Sequence, residues 1–430
     1  MLFLLRIISE ASSAVLTILL LFAGIYLTVK TRFFQFLGLK LSIKSLIKSI
    51  HKKDKNTISS MLLALGGTVG VGNIAGVGAA IALGGPGSVF WIWICGIIGM
   101  ITKYAEVYLA VKFTPLGPYG YIEKTFGKLG GAAKLIFCFA CILSSVFIGN
   151  VIQSKAVIDT LGLAFNFDYT VCTIFIGIPI FILAFSDGNF IKKTSSFGVP
   201  FVSILYIFMT VFVIIKNIKA LPSSIVSIFS CAFNSNTAVS GIFGFFVSTA
   251  VRQGMSKGLF SHEAGQGSSP IAYSADKNAN AYNCAQFGIL EVFVDTGMIS
   301  TLTAFAMLTS GFWSENGMIS AANMFTDHFG NIGGVLFAVS IYLFCIAAIS
   351  GWIFYAKRSI EVVFKSKIIS IIYSVLTVFI IPCVAMFPIN ILWQLADILM
   401  LLMTLPNMIS ILNFRKMIFD SVRMCKNFDK

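Results

Sequence analysis

A stretch without any charged side chain runs from Asn56 to Thr102. A helix that crosses a bilayer needs about 20 mostly apolar residues, so this stretch is long enough for about two spans. A further charge-free run extends from Ala11 to Val29. Runs of this length and composition predict helices that cross a membrane rather than a soluble core. We therefore expect an all-α polytopic membrane protein.

The composition agrees with this prediction. Hydrophobic residues make up 57% of the 430 positions and charged residues 11%, whereas a soluble domain carries about 25% charged residues. The formal net charge is +14, which in a soluble protein would suggest a nucleic-acid partner. Here the basic residues lie in loops between apolar runs, a distribution that the positive-inside rule explains. The lipid bilayer is the expected partner of the surface, and no nucleic-acid partner is predicted.

Hydropathy divides the chain into about eleven candidate transmembrane helices. Three basic segments, 30–55, 357–367 and 415–430, fall on one face if the N-terminus is outside. The positive-inside rule therefore predicts a multi-pass protein of the cytoplasmic (inner) membrane, with its N-terminus outside and its C-terminus inside. The candidate spans are 11–29, 57–83, 88–111, 135–158, 169–186, 197–216, 237–258, 285–310, 333–356, 368–387 and 391–413.

The ten spans after the first allow two sets of five with opposite orientation, which is an inverted repeat. Each set would begin with its own glycine-interrupted segment, and such paired segments are the best sequence pointer to a transporter binding site. The expected organisation is an extra N-terminal helix with a basic cytoplasmic loop, two five-helix repeats and a basic cytoplasmic tail, with the boundaries 1–56, 57–220, 221–413 and 414–430.

The first glycine-interrupted segment contains five glycines between Gly66 and Gly76. Glycine inside a helix costs about 1 kcal/mol relative to alanine, so we expect a broken span. Freed amides at such a break can bind a carboxylate, and freed carbonyls can bind a cation or an ammonium group. An amino acid carries both groups, and the candidate binding residues are Thr68, Gly70, Gly72 and Asn73. Close helix packing through small residues is the alternative explanation.

The second segment, 249–270, is polar, rich in glycine and mixed in charge. It is either part of a half-helix with an inner gate or an ordinary cytoplasmic loop. In the first case Arg252, Lys257 and Glu263 could form salt bridges that open and close.

Three pairs of polar or charged side chains and one tryptophan stand out within the other predicted spans. Asn150 and Gln153 share a helix face, and Asp295 and Thr296 lie within another span; polar groups in a span usually face the bundle interior. Lys103 and Glu106 are expected to be an interfacial pair that anchors a helix. Trp352 follows Gly351 in the predicted span 333–356, and anchoring that helix at the membrane interface is the alternative to a role in a binding site.

Constellations typical of enzymes are missing from the sequence. The three histidines lie in separate segments, and no H-E-x-x-H, G-x-S-x-G or nucleotide-binding G-x-x-x-x-G-K-[ST] motif occurs. The nine cysteines lie mostly within apolar runs and are expected to be packing residues. Rings of charge typical of channels are not evident. The chain is therefore expected to be no enzyme and to need no cofactor.

The sequence resembles the alanine or glycine:cation symporter family, also called the sodium:alanine symporter family. The matching motifs occur in order along nearly the whole chain, and they are Gly67–Val77, Gly84–Gly87, Thr102–Glu106, Gly117–Tyr119, Tyr121–Lys124, Gly149-Asn150 with Gln153, Gly258–Ser261, Glu263–Gly265 and Asp295-Thr296.

The resemblance implies a leucine-transporter-like fold, with five plus five inverted spans and one extra helix. It implies sodium-coupled symport of alanine or glycine by alternating access, with sodium as co-substrate near Thr68 to Asn73. Gln153 and Trp352 would then complete the substrate site. Gating or ion-linked roles would fall on Arg252, His262, Glu263, Asp295, Thr296 and Ser350.

The chain departs from the family pattern at several positions. Val71, Ala347 and Ala348 stand where the family usually has threonine, and His262 stands where it usually has asparagine. The lost hydroxyls would have been oxygen ligands for sodium, and histidine changes charge near neutral pH. A proton-coupled or facilitative carrier of the same fold therefore remains an alternative, as does a receptor that binds an amino acid without transporting it. A histidine in a surface loop is the simpler interpretation of His262.

Overall fold

The computed structural model describes residues 2–51, 54–233, 248–313 and 317–427, which form helices joined by short turns and contain no strand. The α-helices of these residues are numbered in chain order: α1 (Leu2–Lys30), α2 (Phe34–His51), α3 (Lys55–Thr68), α4 (Ala75–Gly84), α5 (Gly87–Lys112), α6 (Pro118–Phe126), α7 (Gly130–Ser144), α8 (Gln153–Phe165), α9 (Tyr169–Phe185), α10 (Gly188–Lys216), α11 (Leu221–Phe233), α12 (Thr249–His262), α13 (Pro270–Ser274), α14 (Ala281–Val292), α15 (Thr301–Ser310), α16 (Gly317–Phe329), α17 (Asn331–Val363), α18 (Lys367–Phe379), α19 (Ile389–Asn413) and α20 (Arg415–Asn427).

Helices of other types complete these elements. Two π-helical segments, Ser145–Ile152 and Phe293–Ser300, interrupt long spans. The 3₁₀ segments are Val71–Asn73, Gly127–Leu129, Ile218–Ala220 and Ile381–Met386.

The predicted multi-pass helical architecture is confirmed. Within the described residues, seven helices are long and apolar enough to cross a membrane, and the broken pair formed by α3 and α4 makes an eighth. The predicted spans 169–186 and 368–387 correspond to the shorter apolar helices α9 and α18. The beginning of predicted span 237–258 lies outside the described residues, as do Lys52, Lys53 and Lys430 of the basic segments. The total of about eleven spans and the inverted repeat remain predictions.

The predicted break in the first glycine-rich segment is present. Helix α3 ends at Thr68, α4 begins at Ala75, and the two are bent by 52° relative to each other. A single 3₁₀ turn, Val71–Asn73, connects them. The break therefore exposes backbone groups in the middle of a span, as the glycine spacing predicts.

A second break follows α12. Glu263, Gly265 and Gly267 all adopt left-handed backbone conformations, with φ of 54°, 87° and 78°, and α13 then begins at Pro270. A non-glycine residue with positive φ is uncommon, so the surrounding structure must hold Glu263 in place. The alternative of an ordinary cytoplasmic loop at 249–270 was wrong, because nearly all of this segment is buried.

The three basic segments lie at one end of the bundle. The Lys426 ammonium donates to the carbonyl of Thr31 at 2.9 Å, and the Arg358 guanidinium donates to the carbonyl of Pro115 at 3.2 Å. Asn413, at the end of α19, donates to Thr125 of α6 at 3.4 Å. These contacts connect the α1–α2 turn, the C-terminal helix and the end of α17, so one face of the bundle carries the predicted positive charge.

We expect this basic face to be cytoplasmic. In a Cys231→Ser background, which removes an exposed native thiol, a membrane-impermeant maleimide should label a Lys219→Cys variant in intact cells. A Lys128→Cys variant should be labelled only after permeabilisation, because Lys128 follows α6 at the basic end. The reverse labelling pattern would show that the orientation is inverted.

Candidate functional site

Asn73 folds the first break and joins it to another span. Its Oδ1 accepts a hydrogen bond from the Gly70 amide at 3.0 Å. Its Nδ2 donates to the Asp295 backbone carbonyl at 3.0 Å and to Asp295 Oδ1 at 2.7 Å, and lies 3.1 Å from Ser300 Oγ. Asn73 is fully buried. The amide therefore closes the turn of the break and fixes it to the π-helical segment 293–300.

Asp295 also contacts the second broken helix. Its Oδ2 accepts hydrogen bonds from Ser261 Oγ at 2.7 Å and from Thr296 Oγ1 at 2.9 Å. Its carboxylate is fully buried, and it forms no ion pair with a lysine, arginine or histidine of the described residues. An ionised carboxylate without a cation is costly to bury. A buried carboxylate among hydroxyl and amide groups is therefore a candidate cation site.

Gln153 approaches the same break from α8. Its Oε1 accepts a hydrogen bond from the Val71 amide at 3.2 Å. A Cβ atom added at Gly70 would lie 3.0 Å from Gln153 Oε1 and 3.3 Å from the Ala348 Cβ. Trp352, one turn beyond Ala348 on α17, packs on Gly149, where an added Cβ would come within 2.3 Å of the Trp352 Cβ. Gly70, Gln153 and the helix of Trp352 therefore converge on one side of the break.

The other two residues predicted at the break differ in their surroundings. A Cβ added at Gly72 would lie 3.0 Å from the Ser261 Cα and 3.0 Å from the ring of Phe260. The two broken helices are therefore in direct backbone contact at Gly72. Thr68 is buried, and its hydroxyl donates to the Leu65 carbonyl of its own helix at 3.0 Å.

A cavity of about 430 Å³ reaches the break between Val71 and Ala75. Ile152 and Ala156 line its opposite wall, and the ring of Trp393 lies beside it. This cavity provides a route from one end of the bundle toward the residues around Val71.

Lys103 and Glu106 are fully buried, so their predicted role as an interfacial pair was wrong. The Lys103 ammonium lies 3.5 Å from Glu106 Oε1 and 3.2 Å from Glu291 Oε1, and it donates to Ser269 Oγ at 2.7 Å. These carboxylates come from a second helix as well as from α5 itself, which is why a sequence analysis restricted to one span missed the cluster. The ammonium joins α5 and α14 to the second break.

Glu106 holds the second break directly. Its Oε2 accepts hydrogen bonds from the Gly265 and Gly267 amides, both at 3.0 Å, and from Asn407 Nδ2 at 2.9 Å. Asn407 also donates to the Gly265 carbonyl at 2.8 Å. Two backbone amides freed by the left-handed turn therefore share one carboxylate oxygen.

His262 is buried at the end of α12, and the interpretation as a surface-loop histidine was wrong. Its Nδ1 accepts a hydrogen bond from the Ala264 amide at 3.0 Å, and its Nε2 lies 3.2 Å from Cys95 Sγ. An imidazole nitrogen that accepts a hydrogen bond carries no proton, so this arrangement fits a neutral ring.

The remaining ion-linked candidates lie in three different places. Glu263 accepts a hydrogen bond from Ser268 at 2.5 Å within the second break. Arg252 lies 3.9 Å from Glu10 of α1. The Ser350 hydroxyl is 2.5 Å from that of Ser195 on α10, near Gly66 of α3. The structure therefore brings Asp295 to Asn73 and Thr296 to Asp295, but it does not bring Arg252 or Ser350 to them.

Sequence reasoning missed Ser300 and the π-helical segments. Segment 145–152 ends directly before Gln153, and segment 293–300 contains Asp295, Thr296 and Ser300. Single π-helical turns are frequent at functional sites. Serines are common in membrane helices, so Ser300 does not stand out by residue type. The only sequence signal for it is its position five residues after Asp295.

Comparison with known proteins agrees with this geometry. The model of the sodium:alanine symporter family matches residues 3–430. The chain belongs to the sodium:alanine symporter family. It is therefore a multi-pass membrane protein and a cation-coupled amino acid transporter, not an enzyme. The family resemblance expected from the sequence motifs is confirmed.

The similar proteins cover almost the whole transporter. The sodium/alanine symporter AgcS of Methanococcus maripaludis is 30% identical over 417 residues, which is 92% of this chain and 90% of that protein. The "Probable sodium/glutamine symporter GlnT" of Bacillus subtilis is 32% identical over 430 residues, which is 96% of this chain and 87% of that protein.

A solved structure shares the fold. The crystal structure of MhsT in complex with L-phenylalanine aligns with a TM-score of 0.63 at 15% identity, covering 83% of this chain and 88% of that chain. The leucine-transporter-like fold is thereby confirmed for this transporter.

The buried ion cluster yields a prediction about stability. Lys103→Met should lower the free energy of unfolding by about 3–5 kcal/mol, because it leaves two buried carboxylates without their ammonium partner. Thermal unfolding in detergent would measure the change, and adding Glu291→Gln should recover part of it. Lys134→Met is the matched control: Lys134 pairs with the more exposed Glu123 at 2.7 Å, and its loss should cost less than about 1 kcal/mol. Equal losses in the two lysine variants would contradict the prediction.

The contact between Gly149 and Trp352 yields a second prediction. Gly149→Ala should displace the indole and reduce amino acid uptake at least about fivefold, since overpacking a tight contact costs about 1–3 kcal/mol. Gly131→Ala, in open space on the same span, should leave uptake unchanged. Normal uptake by Gly149→Ala, with normal amounts of protein in the membrane, would remove Trp352 from the site.

Proposed function

We propose that this transporter is a sodium-coupled symporter that carries a small neutral amino acid, such as alanine or glycine, across the cytoplasmic membrane by alternating access. The observation that carries the proposal is the buried Asp295 carboxylate. It contacts Asn73 of the first break and Ser261 of the second broken helix at 2.7 Å each. A cation bound to this carboxylate would therefore change the interactions of both broken helices at once.

The similar proteins support sodium as the co-ion and a neutral substrate. One is named a sodium/alanine symporter and another a probable sodium/glutamine symporter. Alanine and glutamine differ in size but both have an uncharged side chain. The family pattern therefore favours a neutral amino acid.

A small substrate fits the crowding around the first break. Gln153 and Ala348 already lie within 3.0 and 3.3 Å of the place where a Gly70 side chain would begin. The amides of Gly70 and Val71 now donate to Asn73 and Gln153. In the substrate-bound state they would donate to the substrate carboxylate instead, and carbonyls at the break would bind its ammonium group. Trp352 would form the apolar wall beside Gln153.

Sodium would use the oxygen atoms gathered around Asp295. A hard cation prefers carboxylate, carbonyl and hydroxyl oxygens, and the carboxylate of Asp295 and the hydroxyls of Ser261 and Ser300 supply them. None of these oxygen atoms comes from positions 71, 347 or 348, so the proposed sodium site does not need the threonine hydroxyls that Val71, Ala347 and Ala348 replace. His262 offers little support for proton coupling through its ring, because its Nδ1 already accepts the Ala264 amide.

The two broken helices suggest how access would alternate. The segments 57–220 and 221–413 would be the two repeats, each opening with its own break, and rocking of one against the other would expose the site to either side. The N-terminus would face outside and the C-terminal helix the cytoplasm.

Uptake of labelled alanine into proteoliposomes tests the proposal, with and without an inward sodium gradient at fixed pH. Accumulation that follows sodium is expected. Asp295→Asn keeps the size of the side chain but removes its charge, so it should raise the half-saturating sodium concentration at least about tenfold, given about 1.5–3 kcal/mol for interactions with a charged group. Glu123→Gln, which removes a charge from a partly exposed side chain, is the control.

Other outcomes would point to the alternatives. Uptake that ignores sodium but follows an imposed pH step would make the proton the co-ion. Uptake without any gradient dependence would indicate a facilitative carrier. Binding of alanine without accumulation would indicate a receptor.

A further inference from the structure

Helix α2 was expected to be part of a basic loop, but it is an 18-residue helix with three distinct faces. One face is buried against the bundle. There an added Cβ at Gly38 would lie 2.4 Å from Ile289 of α14, and Ser42 Oγ donates to the Gln286 carbonyl at 2.5 Å. Phe34 packs edge-on against Tyr104 of α5, with ring centroids 5.2 Å apart. These contacts fix the rotation of α2 about its axis.

The outward side of α2 consists of two adjacent stripes. At about 100° per residue, one arc of about 60° contains only exposed apolar side chains: Phe36, Ile43, Ile47 and Ile50. The neighbouring arc contains the exposed lysines Lys40, Lys44 and Lys48. An apolar stripe bordered by lysines is typical of a helix that lies in the interface of a membrane with anionic lipids.

An apolar groove begins beside α2. It has a volume of about 320 Å³ and is lined by Phe36 and Leu39 of α2, by Trp93, Ile97 and Met100 of α5, and by Phe293 of the second π-helical segment. The groove therefore runs from the edge of the apolar stripe along two spans.

We propose that α2 and this groove form a binding site for an anionic phospholipid of the bilayer. One acyl chain occupies the groove between α5 and the π-helical segment, and the phosphate-bearing headgroup lies at Lys40, Lys44 and Lys48. Charge complementarity selects the occupant: an apolar groove that reaches Phe36 and Leu39, with exposed lysines following at positions 40, 44 and 48 of the same helix, matches a molecule that is anionic at one end and aliphatic at the other. A zwitterionic lipid would fill the groove but gain less from the lysines.

The site also borders the candidate cation site. Thr296 and Gly297 line the groove, and the hydroxyl of the same Thr296 donates to Asp295 at 2.9 Å. The acyl chain thus packs on the outer side of the turn whose inner side holds Asn73. This placement depends on the membrane location of the chain and not on sodium or on the identity of the transported amino acid.

Native mass spectrometry of the purified transporter tests the proposal, with dioleoyl phosphatidylglycerol and dioleoyl phosphatidylcholine as probes. The wild-type protein should retain phosphatidylglycerol preferentially. The variant K40Q/K44Q/K48Q should retain at least about tenfold less phosphatidylglycerol than the wild-type protein, since each lysine near an anionic surface contributes about 1 kcal/mol. The matched variant K128Q/K277Q/K416Q removes three exposed lysines elsewhere and should retain the lipid. Equal retention by all three proteins, or equal loss in both variants, would overturn the proposal.

The groove is tested separately. Ile97→Trp fills it and should reduce retention of both lipids, whereas unchanged retention would exclude the groove as the acyl-chain site. A second measurement keeps all lysines native and follows tryptophan fluorescence, which brominated acyl chains quench. In vesicles with a minor fraction of brominated lipid, brominated phosphatidylglycerol should quench the wild-type protein more than brominated phosphatidylcholine does. Trp93→Phe should abolish the excess, and equal quenching by the two lipids in the wild-type protein would overturn the proposal.

Discussion

Backbone that is not helical can lie within a membrane bundle only where it is buried among protein groups that satisfy its hydrogen bonds or where it lines a water-filled cavity. The structure meets this requirement with side chains from other helices. Glu106 of α5 accepts from the amides of Gly265 and Gly267 in the second break, and Gln153 accepts from Val71 in the first. The surrounding spans are therefore arranged around two irregular turns. Lys103 then becomes necessary, because Glu106 is a charge buried far from water and needs a cationic partner.

Asp295 has the corresponding position between the two breaks, but among the described residues it has no cationic partner. The two carboxylates therefore differ in whether a lysine of the described residues lies beside them. Glu106 has the Lys103 ammonium 3.5 Å from its Oε1. Asp295 contacts Asn73 and Ser261, so an arriving cation would change the interactions of both breaks together. Coupling between ion and substrate needs only that both bind the state in which these contacts are complete.

The sequence predicted features that depend on local composition. Apolar runs identify spans, and the five glycines between Gly66 and Gly76 predict the first break. The sidedness of the lysines agrees with contacts such as that of Lys426 with Thr31. Relations between distant residues were less accessible: Lys103 with Glu291, and His262 with Cys95, require knowledge of which helices touch. Without that knowledge, a charged pair near a helix end and a histidine in a polar segment were assigned to the surface.

The π-helical segment Phe293–Ser300 has a consequence for changes in chain length. A π-helical turn arises where one residue is inserted into an α-helix. Deletion of one residue between Asp295 and Ser300 would restore α-helical geometry and leave the orientation of α14 relative to α15 nearly unchanged, because a π-helical segment turns through about one residue's rotation less than an α-helix with the same number of residues. Asp295 would then lose its five-residue spacing to Ser300, and the two side chains would no longer meet at Asn73 in the same way, although both spans would keep their hydrophobicity. Homologous transporters should therefore tolerate insertions and deletions in the loops around α16 but keep the number of residues between Glu291 and Thr301 constant.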